Sequence, residues 1–162
     1  MKEQILEWLD EDDREYKVND HPKLDWIIQV KHGNRTVLIG KPLRYINRLE
    51  IVYKLNVSNE HKKIIKQLDN KQRNSFEKSL VMLLSVDAVI YNIHRDENKL
   101  PDSVVIKKHI YMEDLNKTKL FDTIQNVINM GMRTTIHFQS LGGAVPKEDE
   151  MSSTKTGPSL YR

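Results

Sequence analysis

The sequence predicts an α+β domain in which helices gather on one side of an antiparallel sheet. Several segments alternate apolar and polar residues with a period of two, as half-buried strands do. Other segments repeat apolar residues every three or four positions, which is typical of amphipathic helices. The strands come in runs and do not alternate strictly with helices, and this order favours α+β over a parallel α/β sheet.

The first element is a short amphipathic helix. Within residues 2–13, Ile5, Trp8 and Leu9 fall on one helical stripe, and Trp8 is the expected anchor to the core. The segment Asn19-Asp20-His21-Pro22 then favours a turn, because Asn and Asp are common turn residues and the residue before proline avoids helical geometry.

Three strands follow with short links. Residues 24–31 alternate, and His32-Gly33-Asn34-Arg35 is typical of a hairpin connection. Residues 36–40 supply the return strand, and residues 48–57 give the clearest alternation in the chain. Consecutive strands with short links predict an antiparallel meander.

A kinked helical segment is predicted over residues 59–85. Ser58 suits an N-cap, and Asp69 with Gln72 three residues later resembles a capping box that would begin a second helix. Two further strands and a last helix are predicted at residues 86–94, 103–112 and 116–140. The predicted order is therefore helix, three strands, helical segment, two strands and helix.

Composition predicts one folded domain and a tail. The chain has 162 residues, 38% of them hydrophobic, which suffices for a single core over residues 1–142. Residues 143–162 are rich in Pro, Ser, Thr, Lys and Glu, so we expect a disordered C-terminal tail. The absence of Cys excludes disulfides and thiolate nucleophiles. No signal peptide or membrane span is recognisable, so a cytoplasmic location without membrane contact is expected.

Charge is unevenly distributed along the chain. The formal net charge of +3 combines −5 in residues 2–15, +8 in residues 16–142 and zero in residues 143–162. A basic body is one requirement of a nucleic-acid-binding protein. The candidate contacts are lysines of the middle helix and of the fifth predicted strand: Lys62, Lys63, Lys66, Lys107 and Lys108. Most aromatic residues occupy predicted core positions, so no base-stacking platform is visible.

The last helix supplies a candidate surface for a protein partner. Met130, Met132 and Ile136 lie beside its main apolar stripe, which makes its apolar surface wider than a single core contact requires. Methionine suits adaptable interfaces. The alternative is a long central helix that is buried on two sides.

The histidines indicate neither a metal site nor a cofactor site. Six histidines occupy separate segments, and no pair has the spacing of a zinc-binding helix. His94 with Asp96, or His109 with Asp114, would form an acid–base pair only if the fold brought them within hydrogen-bond reach. No nucleophile accompanies either pair in the sequence, so no catalytic residue, metal or cofactor is predicted.

Several short motifs are similar to those of one known family. They are Asp25-Trp26, Ser58-Asn59-Glu60-His61, Pro101-Asp102-Ser103-Val104-Val105-Ile106, and Ile110-Tyr111-Met112-Glu113-Asp114-Leu115-Asn116-Lys117 before Leu120-Phe121. Over residues 3–140 the chain resembles the domain of unknown function 2299, a mostly archaeal family without an assigned activity. The predicted element order also resembles that of type III secretion chaperones, which are small dimeric α+β proteins that hold partner polypeptides.

The leading hypothesis is a non-enzymatic, cytoplasmic, protein-binding module that acts as a homodimer through its sheet face or the flank of the last helix. Its expected partner is a polypeptide. The first alternative is a nucleic-acid-binding protein that uses the basic central region. The second alternative is an enzyme whose pocket would gather His94, His109 and acidic neighbours.

Overall fold

The computed structural model describes residues 1–86 and 88–141. Its helices are α1 (Lys2–Glu11), α2 (Asn59–Gln67), α3 (Asn70–Leu84) and α4 (Lys117–Gln139), with a short 3₁₀ helix at Met112–Asp114. Its strands are β1 (Tyr16–Asn19), β2 (Leu24–His32), β3 (Arg35–Pro42), β4 (Arg48–Asn56), β5 (Ile90–Arg95) and β6 (Pro101–Tyr111). The predicted tail, residues 143–162, lies outside the described residues.

The strands form one antiparallel sheet in the order β1-β2-β3-β4-β6-β5. The predicted α+β class is confirmed, and β2, β3 and β4 form the expected meander. Gly33 and Asn34 connect β2 to β3, and Gly33 has a φ of +57°. A two-residue hairpin turn needs positive φ, which glycine adopts without steric cost.

Two details of the predicted order are wrong. Strand β1 was not predicted, and it pairs along the edge of β2 through Tyr16 to Asn19. The strand predicted from residue 86 begins only at Ile90. Ala88 in this link has a φ of +48°, a left-handed conformation that interrupts extended backbone.

The helices pack on one face of the sheet. Their apolar side chains join the inward residues of the strands in one cluster, and α4 lies across β4 and β6. Gly131 of α4 sits directly over Tyr53 of β4, where an added β-carbon would be 2.3 Å from Cε1 of the ring. Glycine therefore lets the long helix approach the sheet at its centre.

The kink between α2 and α3 has the predicted chemistry. Ser58 caps α2 by accepting a hydrogen bond from the backbone N–H of His61 at 3.2 Å. Leu68 has extended backbone, with ψ of 142°, and ends α2. Asp69 and Gln72 then form the capping box of α3, with hydrogen bonds of 2.7 and 3.1 Å.

Candidate functional site

The side of the sheet opposite the helices is the candidate site, and we call it the open face. No helix in the described ranges covers it, since the helices pack on the other side. Cross-strand pairing places its central side chains in two neighbouring rows. One row is Asn19, Ile27, Gly40, Glu50 and His109, and the other is Lys17, Gln29, Leu38, Val52, Lys107 and Ile90.

The floor of the open face is apolar at its centre. Ile27, Val52 and Val105 are buried, although no described helix lies over them, and Leu38 is half-buried. These four residues lie on the four central strands, β2, β3, β4 and β6. An apolar centre surrounded by polar side chains is the general anatomy of a protein–protein interface.

A buried carboxylate lies at one end of this floor. The Glu50 side chain is only 3% exposed, and three basic side chains surround it. Arg48 Nη2 lies 3.1 Å and His109 Nε2 3.3 Å from Glu50 Oε1, while Lys107 Nζ lies 3.4 Å from Oε2. Burying a charge is costly unless partners compensate it, so the positive charges of Arg48 and Lys107 stabilise an ionised Glu50.

His109 is held neutral in this cluster. Burial lowers the pKa of His109, and the positive charges of Arg48 and Lys107 lower it further, while Glu50 opposes them. Its Nε2 lies close to Glu50 Oε1 but without hydrogen-bond alignment. General acid–base chemistry requires a carboxylate and a histidine that a substrate can reach. Glu50 is buried and its charge is compensated by its basic neighbours, which instead indicates a structural role for the cluster.

An aromatic ring covers the arginine of the cluster. Arg48 Cζ lies 3.7 Å from the ring centroid of Tyr45, in the β3–β4 loop, which is a cation–π geometry. Leu43, Tyr45 and Ile46 of this loop are each more than half exposed, as is Tyr111 opposite Arg48 on β6. The loop therefore adds exposed apolar side chains beside the open face.

Basic side chains outnumber acidic ones on the open face. Those carried by its strands are Lys17, Lys31, Arg48, Lys54 and Lys107. Glu50 is buried among them, and Glu15 pairs with Lys31 at the rim. The open face therefore attracts acidic molecules.

The structure divides the lysines of the nucleic-acid hypothesis between the two sides of the sheet. Lys107 points to the open face, whereas Lys108 pairs with Ile51 on the helical side. Lys62 forms ion pairs with Asp102 and, at 3.9 Å, with Asp96. Lys63 and Lys66 are exposed on α2. The five lysines thus do not share one surface.

The methionine flank predicted on the last helix is also divided. Met130 is 1% exposed and belongs to the core, because α4 is enclosed between the sheet and α3. Met132 is half-buried against the core, and Ile136 is 63% exposed. Only Met132 and Ile136 of this predicted surface can reach a partner.

The structure does not assemble the acid–base pairs considered from the sequence. His94 contacts Asn92, with 3.4 Å between His94 Nε2 and Asn92 Nδ2. His109 faces Glu50 rather than Asp114, which lies in the 3₁₀ helix. Sequence reasoning missed Glu50, whose only signal was a carboxylate on the polar side of a strongly alternating strand.

Within the part of the chain that the structure describes, no three His, Asp or Glu side chains are grouped as a metal site would require. No helix in residues 1–86 and 88–141 combines the length and the apolar character needed to cross a bilayer.

Comparison with known proteins identifies the fold and the family. A crystal structure of an uncharacterized protein from Methanothermobacter thermautotrophicus is similar, with a TM-score of 0.80 and 23% identity over 86% of this chain and 96% of that one. YbjN, a putative transcription regulator from E. coli, is similar with a TM-score of 0.51 and 8% identity, covering 88% and 92%. No curated protein matches the sequence significantly. The family model described as uncharacterized conserved protein (DUF2299) matches residues 1–138, and the chain belongs to this family, the domain of unknown function 2299.

Proposed function

We propose that the chain is a non-enzymatic cytoplasmic module that binds polypeptide partners on its open face and acts as a homodimer. The observation that carries the proposal is the combination of a buried apolar floor with a surplus of basic side chains on a sheet face that no described helix covers. The expected partner is an extended segment that alternates acidic and apolar residues.

The geometry of an extended segment suits this surface. Side chains of a strand alternate between two directions, so apolar residues would rest on the half-buried Leu38. The long, exposed side chains of Lys17 and Lys54 would reach up beside the segment to its acidic residues. Charge complementarity of this kind raises association rates and selects partners. The resemblance in element order to type III secretion chaperones, which hold partner polypeptides, supports the same class of partner.

A peptide-binding experiment tests the proposal. The probe is a fluorescent dodecapeptide of alternating Asp and Leu, followed by anisotropy at low salt. We expect binding that is lost in the double variant Lys17→Glu/Lys54→Glu and kept in the matched control Lys63→Glu/Lys66→Glu, because the control changes the same charges on α2. Absence of binding, or equal loss in both variants, overturns the proposal.

The helix flank is tested with the same probe. Ile136→Lys places a charge on the exposed part of the flank formed by Met132 and Ile136. Retained binding supports the open face as the site. Lost binding with an intact fold would assign the peptide to the flank instead.

Nucleic-acid binding is the second candidate, and the basic surplus of the open face favours it. Phosphate contacts make affinity fall steeply with salt. The probe is single-stranded oligouridylate, measured with the same variants. RNA binding at low salt that Lys17→Glu/Lys54→Glu abolishes supports this candidate, and no binding at low salt eliminates it.

A further inference from the structure

A second exposed apolar region lies at the opposite edge of the sheet from β1. Four large apolar side chains within residues 81–90 are 40–62% exposed, namely Val81, Met82, Val86 and Ile90. We call these residues together with strand β5 the β5-edge patch. Isolated exposed apolar residues are ordinary, but a contiguous patch marks an interaction surface.

One ion pair holds α3 alongside β5. Arg95, at the end of β5, donates two hydrogen bonds to the Glu77 carboxylate of α3, at 2.8 and 2.9 Å. This contact joins the middle of α3 to the end of β5, so the chain returns past α3 after the intervening link. Val81 lies one helical turn after Glu77 and so shares its side of α3. The exposed residues of α3 therefore lie near β5 on the helical side of this edge, while Ile90 lies at the same edge on the open face.

The two edge strands differ in how well they resist pairing with another strand. Strand β1 has four residues, includes Lys17, and is soon followed by Pro22, all of which discourage pairing. Strand β5 has six residues and contains no Pro, Lys, Asp or Glu. In the described part of the chain, β5 pairs only with β6. Its other side offers free backbone groups to a further strand.

We infer that β5 pairs antiparallel with β5 of a second copy of this chain, which gives the proposed homodimer a continuous sheet. This inference rests on the homodimer in the proposed function and adds its interface. A two-fold axis perpendicular to the sheet keeps the two open faces on the same side of the continuous sheet. Each β5 residue then lies opposite a residue whose side chain points to the same side.

The favoured register places Asn92 opposite Asn92 of the second copy. Tyr91 then lies opposite Ile93, and Ile90 opposite His94. Tyr91 and Ile93 already pack against the core on the helical side, so their pairing extends the apolar layer across the axis. The two Asn92 amides can hydrogen-bond to each other. No like charges meet in this register.

Charge also favours a second copy at this edge and not on the open face. Two-fold symmetry brings like surfaces together, so a self-associating surface must not carry a surplus of one sign. Arg95, the charged residue of β5, is neutralised by its ion pair with Glu77 of α3. The open face is basic, and two copies meeting there would repel.

The test measures solution mass by light scattering during gel filtration of the full chain. The double variant Val81→Lys/Ile90→Lys charges the β5-edge patch, and the register sets the new charge at position 90 opposite His94 of the second copy. The matched control Leu43→Lys/Ile46→Lys introduces the same two charges at residues of the β3–β4 loop that are more exposed than Val81 and Ile90. We expect a dimer for the native chain and the control, and a halved mass for the β5 variant, with unchanged circular dichroism in all three.

Hydrogen exchange supplies a second readout that does not depend on substitution. We expect the outward amides of β5 to be protected at high protein concentration and to lose protection on dilution. A monomeric native chain, or a β5 variant that remains dimeric, overturns the inference. Binding of the Asp-Leu peptide is measured on the same variants. Monomers that still bind the peptide would show that peptide binding stands without this interface.

Discussion

The aromatic ring of Tyr53 occupies the space that a β-carbon on Gly131 would require. The positions of that carbon and of ring atoms Cε1 and Cδ1 would be 2.3 and 2.6 Å apart. Tyr53 is buried on β4, and Gly131 is buried in the middle of α4. The distance between the long helix and the sheet is therefore set by the absence of a side chain at one position.

The first prediction concerns this contact. Gly131→Ala should lower the free energy of unfolding by about 1–2 kcal/mol. The destabilisation from overpacking the core is larger than the stabilisation from the higher helix propensity of alanine. The measurement is urea unfolding followed by circular dichroism, with Asn126→Ala on the exposed side of α4 as control. In a Tyr53→Leu background the same Gly131→Ala change should cost much less. An equal cost in both backgrounds would show that the ring contact is not the cause.

The second prediction concerns the start of α3. Asp69→Ala removes the acceptor of the Gln72 backbone N–H and should destabilise the fold by about 1 kcal/mol. Asp69→Asn keeps an effective cap and should change stability by only a few tenths of a kcal/mol. Urea midpoints of the two variants decide the matter. Equal losses would attribute the effect to the charge of Asp69 and not to the hydrogen bond.

The third prediction concerns the buried carboxylate. Glu50→Gln leaves Arg48, Lys107 and His109 without their shared anion, and we expect a loss of about 2 kcal/mol in the free energy of unfolding. Removing one partner of a fully buried ion pair costs more, about 3–5 kcal/mol, but Arg48 and Lys107 are partly exposed and can turn to water. Lys54→Gln, on the same strand and exposed, is the control. Stability equal to that of the control would contradict the compensating role of the cluster.

The fourth prediction is a dependence of stability on pH. Burial lowers the pKa of His61, although Glu60 opposes the effect, and burial likewise lowers the pKa of His109 and His32. Below a pH of about 6.5 these histidines bind protons in the unfolded chain but remain unprotonated in the folded chain until the pH reaches their lower folded pKa values. The free energy of unfolding should therefore fall as the pH drops below about 6.5, and level off below the folded pKa values.

Unfolding by urea at several pH values measures this slope. His61→Gln should flatten it in part, since His32 and His109 retain their share. NMR titration of the His61 ring gives an independent check. A titration midpoint at or above about 6.5 would contradict the direction expected from burial.

Local chemistry made most elements predictable from the sequence. The hairpin at Gly33, the cap at Ser58 and the capping box at Asp69 depend on neighbouring residues, and the structure contains all three. Strand β1 was not predicted because Tyr16 and Val18 alternate with Lys17 and Asn19 over only four residues, which is too short to indicate a strand. It exists because the edge of β2 supplies its hydrogen-bond partners.

The site depended on pairing that the sequence does not display. Glu50 and His109 meet because β4 pairs with β6, across two helices and a strand. The opposite orientation of Lys107 and Lys108 was contained in the alternation of β6, where Lys108 shares its side with Ile106 and Ile110. The burial of Met130 could not be predicted from the sequence pattern of α4, because it depends on the packing of α3 against α4.

The β4–β6 ladder also bears on the order in which the chain folds. Residues 48–56 pair with residues 103–111, so this ladder closes a long loop, whereas the hairpins β2–β3, β3–β4 and β5–β6 close short ones. Closing a loop costs chain entropy before the contacts between its ends form, and the cost rises with the length of the loop. We therefore expect the two hairpin halves to form first and to join late along β4 and β6, with α4 docking across the junction once it exists.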